Sequence, residues 1–227
     1  MQPYFIPYIG YFQLINYVDS FVIHDDAKYT KKGWINRNFL TINGEKKLIS
    51  IPLLKASDYK KINEREISKS YSPKKVFDLI TQNYSKSPNW DLAKDPIQEI
   101  IFFEEKNLSN FIINSIKIIC NFLDISTPIY ISSQIPNLTF KSKEEKILKI
   151  CNFFESSRYV NPIGGINLYN KSDFFDKNME LNFMLFKPSE SSKASIPFLE
   201  TISTLDLIFK VDLDKLKNIL KTQFLIL

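Results

Sequence analysis

QPYFIPYIGYFQLINYVDSFVIHDD, residues 2–26, decides how the fold is read. Residues 2–6 read as a short buried strand. Gly10 then leads into IGYFQLINYV, whose apolar residues recur at helical spacing. FVIHDD, residues 21–26, is an apolar run closed by two acids, which suits a central strand whose carboxyl end meets a polar site. Strand, turn, helix and strand in so short a span predict an α/β unit with a parallel pair of strands. Gly10 in the turn lets the backbone approach a ligand at the helix N-terminus, where free N–H groups favour an anion.

Working outward, residues 27–38 form a polar loop, and FLTINGEKKLISIPLL, 39–54, predicts a hairpin turning at Asn43-Gly44. Residues 62–67 add a further strand. Ser72 as N-cap and Pro73 at the first helical position open a helix over 71–84. A helical stretch from 91 to 123 breaks near Lys106-Asn107. Strands are expected at 127–133, 158–161 and 179–186, an amphipathic helix at 143–154, and one or two helices over 202–224. These elements make one α/β domain over 1–227, with a partly parallel, Rossmann-like sheet, a β-hairpin and a helical insertion at about 71–123.

The 227 residues suffice for a sizeable core, since a chain of this size buries about 70% of its unfolded surface. Cys120 and Cys151 lie in apolar helical runs and read as small buried hydrophobes. With one histidine beside them they do not complete a usual zinc site, and no metal is expected. The net charge of +5, mostly from dispersed lysine, suits phosphate-bearing ligands. No basic block or RNA-binding signature points to DNA or RNA as a sequence-read target. The N-terminus does not have the form of a signal peptide, and no apolar run reaches membrane-spanning length. A cytoplasmic protein without a membrane partner is expected.

In open α/β sheets the ligand crevice lies beyond the carboxyl ends of the strands. Four such ends carry polar or backbone-accessible groups: Pro7–Gly10, His24–Asp26, Ser132-Ser133 and Asn161–Gly165. His24 is the sole histidine and so the sole imidazole base. Asp25 and Asp26 offer carboxylates for a metal ion, a sugar hydroxyl or a proton, and both can meet one ion only if the strand has ended before them. Asn161 with Gly164 and Gly165 could form a backbone nest for phosphate. In the loop, Arg37 or Lys32 suits a diphosphate, Trp34 a base or sugar face, and Asn36 and Asn38 hydroxyls. That combination points to a nucleotide-sugar. The Pro7-Tyr8-Ile9-Gly10-Tyr11 turn is similar to the turn that covers the nucleotide in nucleotidylyltransferase-like folds, with Tyr8 and Tyr11 where that class has histidines. Tyrosine hydroxyls can bind a ligand but carry no positive charge, which argues against the histidine mechanism of nucleotidyl transfer.

Together these stretches resemble the WbqC-like family. The resemblance rests on QPYFIPYIGYFQLI (2–15), Asp19, FVIHDD (21–26), Tyr29, KKGWINRN (31–38), Ile51-Pro52, Tyr84, Ser132-Ser133, YVNPIGGINLY (159–169) and STLDLIF (203–209). It implies a place in bacterial surface-polysaccharide, O-antigen and lipopolysaccharide biosynthesis, with work on an activated sugar. The expected activity is a transferase acting on a nucleotide-linked amino sugar by N-acyl or aminoacyl transfer, with a charged tRNA as one candidate donor. His24, Asp25 and Asp26 are the catalytic candidates. Gln2, Tyr8, Gly10, Tyr11, Lys32, Trp34, Asn36, Arg37, Asn38, Ser132, Ser133, Asn161, Gly164, Gly165 and Tyr169 are the substrate-binding candidates. No cofactor beyond the acyl or aminoacyl donor is indicated, and a homo-oligomer is compatible with the sequence. The alternatives are a non-catalytic module that binds a glycan precursor or a glycosyltransferase, and nucleotidyl transfer.

Overall fold

The computed structural model describes residues 1–196 and 198–227, and Ser195 by its backbone alone. Its first departure from the sequence reading is at the start, because residues 2–6 are not a strand. Pro3 and Pro7 have no N–H to give a ladder. Ile6 turns with φ 41°, a left-handed conformation that β-branched residues rarely adopt. Side chains from distant segments hold it. Asn38 Nδ2 and Ser203 Oγ donate to the Ile6 carbonyl at 2.6 and 2.8 Å, and Thr204 Oγ1 donates to the Pro7 carbonyl at 2.6 Å.

Helix α1 (Ile9–Tyr17) follows, buried from Ile9 through Ile15. Gly10 lies under the Tyr8 ring, where a Cβ would collide with it. Strand β1 (Phe21–Ile23) is next, then the hairpin of β2 (Arg37–Ile42) and β3 (Glu45–Ser50). Asn43 and Gly44 make its two-residue turn, with φ of 52° and 81° as a type I′ turn requires. Residues 62–67 form no strand. Ile62–Glu64 is a 3-10 turn, and isolated bridges join Leu53 to Ile67 and Glu66 to Asn107.

Three helices fill the stretch read as a helical insertion: α2 (Pro73–Tyr84), α3 (Trp90–Phe102) and α4 (Leu108–Phe122). Ser72 Oγ caps α2, and Asn107 Oδ1 caps α4 at the expected break. Then come β4 (Ile129–Ile131), α5 (Lys143–Phe153), β5 (Arg158–Pro162), α6 (Lys171–Phe175) and β6 (Glu180–Phe186). The remaining elements are α7 (Glu190–Ser195), α8 (Thr204–Lys210), α9 (Leu213–Thr222) and β7 (Phe224–Ile226).

The class is α/β, with its strands in three small sheets. β1 pairs parallel with β4, matching Phe21 to Ile129 and Ile23 to Ile131. β5 pairs parallel with β6, and β7 joins β6 antiparallel. The third sheet is the hairpin. One large apolar cluster runs from Phe5 and Phe12 through Phe111 and Ile208 to Leu220. A smaller one gathers Ile147, Cys151, Phe174, Leu181 and Phe183 under α5, α6 and β6. Both cysteines are free and buried, and burial pushes the Cys120 thiol up to about 12 and the Cys151 thiol up to about 11. They pack as the small hydrophobes the sequence suggests.

Candidate functional site

Strand β1 ends at Ile23, so Asp25 and Asp26 lie in the turn beyond it. β4 ends at Ile131 and passes into the 3-10 turn Ser132–Gln134. Because the two strands run parallel and in register, their carboxyl ends arrive side by side. The two acids meet the two serines there. Asp25 Oδ1 accepts from the Ser133 N–H at 3.0 Å and from Ser132 Oγ at 3.2 Å. Asp25 Oδ2 accepts from Ser133 Oγ at 2.6 Å and Asn63 Nδ2 at 2.9 Å. Those four donors occupy both oxygens of a carboxylate that is 4% exposed. Asp25 therefore ties the two strand ends together.

Asp26 takes a different set. Its Oδ1 accepts from Ser132 Oγ and pairs with Lys146 Nζ of α5. Lys146 also reaches Ser132 Oγ at 3.3 Å and lies 5.1 Å from the Phe140 ring centre. The Ser132 hydroxyl faces both carboxylates but has one proton, so it serves one of them at a time. Burial works to lift the Asp26 carboxyl, but the Lys146 and Ser132 bonds outweigh it and hold it below the usual carboxylate range.

His24, just before Asp25 in the chain, is half-buried, with Nδ1 buried and unpartnered among the described residues. Burial first, then the Met1 amine and Lys146, hold its imidazole well below the ordinary value. A neutral ring follows at neutral pH. His24 and Asn161, from the carboxyl ends of β1 and β5, line one cleft of about 520 Å³.

The rest of the predicted set divides between exposed groups and core. In the loop, Lys32 is exposed, and Trp34 is 46% exposed with its ring edge on Phe39. Arg37 donates from Nε to the Gly33 carbonyl at 2.9 Å, with its guanidinium 6.0 Å from the Trp34 ring. Lys32 and Trp34 face solvent, and Arg37 lies half-buried near the Trp34 ring. Asn36 accepts from Tyr29 Oη at 2.9 Å and donates to the Ile51 carbonyl at 2.7 Å. Asn38 is buried and holds the Phe5 and Ile6 carbonyls. In the structure their amides brace the backbone.

Tyr11 is likewise a core residue, fully buried, with its hydroxyl on the Gln2 carbonyl at 3.1 Å. Tyr8 is half-buried against Phe186. Gln2 is half-buried. Gly164 is exposed at the 3-10 turn after β5, while Gly165 lies against the Asn161 amide, where a Cβ would not fit. Tyr169 packs edge-on to Tyr159 and Phe174 in the smaller cluster. None of the described hydrogen bonds joins the 31–38 loop to the Asp25–Asp26 cluster.

Sequence reasoning missed Lys146 and Asn63. Lys146 had a signal. In KEEKILKICNF the buried face holds Ile147, Ile150 and Cys151, and Lys146 falls on it. A lysine on the apolar face of a helix needs a buried anion. Asn63 sits in an irregular turn with no comparable mark.

The parallel pair β1–β4, closed at its carboxyl ends by a carboxylate–serine–lysine network, defines an α/β protein with a polar site at its strand ends. A family model described as the WbqC-like protein family matches residues 2–218, and the chain belongs to that family. It is 27% identical over 215 residues to the uncharacterized protein Rv1507c of Mycobacterium tuberculosis, an alignment covering 93% of this chain and 92% of that protein. No solved structure matches. Among the described residues no helix is long and apolar enough to cross a membrane, and no group of three or more His, Cys, Asp or Glu side chains could hold a metal ion.

Proposed function

We propose that the chain is a transferase that modifies a nucleotide-linked amino sugar, by N-acyl or aminoacyl transfer, in bacterial surface-polysaccharide and O-antigen biosynthesis. The observation that carries this reading is a neutral imidazole with a buried, unpartnered Nδ1, two residues before an ionised Asp26 at the carboxyl end of a strand in a parallel pair. That is where open, Rossmann-like sheets take their ligands. In the transfer, the sugar amine attacks the acyl carbonyl carbon and a C–N bond forms. His24 takes the proton the amine loses. The bond from the carbonyl carbon to the carrier oxygen or sulfur breaks, and the carrier leaves with a proton. Asp26, ionised and paired with Lys146, orients the amine by charge. Asp25 is a positioning residue for Ser132 and Ser133.

Arg37 and Lys32 hold the diphosphate, and Trp34 stacks on the base. The donor is an acyl thioester or a charged tRNA, and the net charge of +5 suits the latter. A second reading, a non-catalytic glycan-precursor module, is favoured by how completely the four donors satisfy Asp25. Purified protein incubated with nucleotide-linked amino sugars and each donor class, read by mass spectrometry, separates the two. The transferase gives a sugar heavier by one acyl or aminoacyl group, and His24→Ala slows it about 100-fold or more. Stabilisation by the nucleotide-sugar with no turnover for any donor would leave the binding module.

A further inference from the structure

The cleft of about 520 Å³ is a slot between two strand edges, β1 on one side and β5 on the other. Backbone alternation fixes what each edge presents. The Phe21 N–H bonds to the Pro128 carbonyl, so Phe21 and Ile23 turn toward β4, and Val22 turns the other way, into the slot. The Glu180 N–H bonds to the Ser157 carbonyl, so Ser157 and Tyr159 turn toward β6, and Arg158 and Val160 turn into the slot. Among the described residues no hydrogen bond joins β1 to β5. One residue already sits between them in strand register. The Met1 amine donates to the Val22 carbonyl at 2.6 Å, and the His24 N–H donates to the Met1 carbonyl at 2.7 Å. Those are the two bonds by which one residue of a parallel strand spans its neighbour.

The Met1 nitrogen lies out of solvent at this place, bonded to the Val22 carbonyl. Burial, with Lys146 adding to it and Asp26 opposing, brings the amine down to about 4 from 8.0. An amide there keeps the bond to Val22 and has no charge to lose. Leu14 and Val18 of the α1 segment and Ile147, Ile150 and Phe154 of the α5 segment give the slot its apolar lining, while Asp19, Glu155, Arg158 and Glu180 add charged groups to it. A strand buried on both faces is a short run of β-branched and aliphatic residues.

We propose that this cleft is a strand-acceptor slot, taking an extended apolar segment carried on the Met1 nitrogen and running parallel to β1 and β5. The segment turns two separate parallel pairs into one sheet in the order β4-β1-segment-β5-β6-β7. Helix α1 becomes the crossover between the segment and β1. Winding then proceeds one way from the segment to β4 and the other way through β5 to β6. The reversal falls at the slot, with His24 and Asn161 at its carboxyl end, and such switch points are where ligand crevices form. The inference does not depend on the transferase reading.

The test compares three proteins: the chain as it stands, one extended at Met1 by five Val- and Ile-rich residues, and one extended by five Gly and Ser residues. Amide hydrogen exchange is followed at Val22 and Val160, with the thermal midpoint. The apolar extension should slow exchange at both amides at least 100-fold and raise the midpoint by several degrees, while the Gly-Ser extension should do neither. Unchanged exchange with the apolar extension would overturn the proposal. So would protection by the same pentapeptide added free in solution but not when attached, which would assign the slot to a separate chain.

Discussion

Asp206 and Asp26 each pair with one lysine largely out of solvent, yet their surroundings differ in kind. Asp206, in α8, is 1% exposed and accepts from the Thr41 N–H at 2.9 Å, Tyr84 Oη at 2.9 Å and Lys210 Nζ at 2.8 Å. One carboxylate there meets one ammonium, and the network joins α8, β2 and α2. Around Asp26 two carboxylates face one serine proton, Lys146 pairs with Asp26 and not with Asp25, and a neutral imidazole with a bare Nδ1 lies two residues earlier in the chain. The first arrangement is closed. The second keeps surplus charge and a spare acceptor at the end of a parallel strand pair, which a folding role alone does not require. Burial of a carboxylate by itself does not mark a site. What marks this one is the imbalance.

The comparison breaks most visibly at the closed network. Asp206→Ala strands the Thr41 N–H in the core, leaves the Tyr84 hydroxyl only a long bond to the Thr41 carbonyl at 3.4 Å, and should cost about 4 kcal/mol. Lys210 is 40% exposed, so most of that loss comes from those two donors. The thermal midpoint should drop by roughly 10 °C, with no special effect on any ligand once the protein is folded. Lys146→Met should cost about 3 kcal/mol, because it leaves Asp26 buried without its cation. Adding Asp26→Asn should return most of that stability, since both charges are then gone, while activity stays lost. Urea denaturation and turnover, measured on the single and double variants, separate the two effects.

Acid sharpens the contrast further. His24 and the Met1 amine have folded values below their unfolded ones, so the unfolded chain binds their protons first. Their contributions are full above the unfolded values and decline as the pH falls, from near 8 for Met1 and near 6.5 for His24. Asp26, held below 3.8, adds a further loss below about pH 4. The midpoint should therefore fall steadily from pH 8 to 5, and His24→Gln should flatten the part below 6.5. Lys146→Met should abolish the Asp26 loss, because burial then lifts that carboxyl and protonation relieves its unpaired charge as the pH falls. The smallest effect on the fold is at the loop. Arg37→Ala should leave the midpoint of the free protein within about 0.5 kcal/mol of stability, yet weaken a nucleotide-sugar about tenfold or more by isothermal titration.

What the sequence made legible follows from how local the causes were. The hairpin came from Asn43-Gly44, helix α2 from Ser72-Pro73, and the break before α4 from Asn107, each a signal within a few residues. The meeting of Asp25 and Asp26 with Ser132 and Ser133 was legible as strand ends that converge if the strands are parallel, and β1 and β4 are. The failures were non-local. Residues 2–6 read as a strand by their apolar character, but their carbonyls go to Asn38 and Ser203, more than 30 and nearly 200 residues away. Asn38 looked like a recognition group for the same reason that it serves as a brace, an amide with donors to spare. Tyr11 looked like a hydroxyl for a ligand until the packing of α1 placed it in the core.

The most direct test of the central claim is product formation by the wild-type chain and by the Asp26→Asn, Lys146→Met double variant. Both are incubated with nucleotide-linked amino sugars and with acyl-thioester or aminoacyl-tRNA donors, and read by mass spectrometry. The account predicts an acylated or aminoacylated sugar from the wild type and none from the double variant, which keeps most of the wild-type stability. Equal product from both, or none from the wild type with every donor, would contradict it.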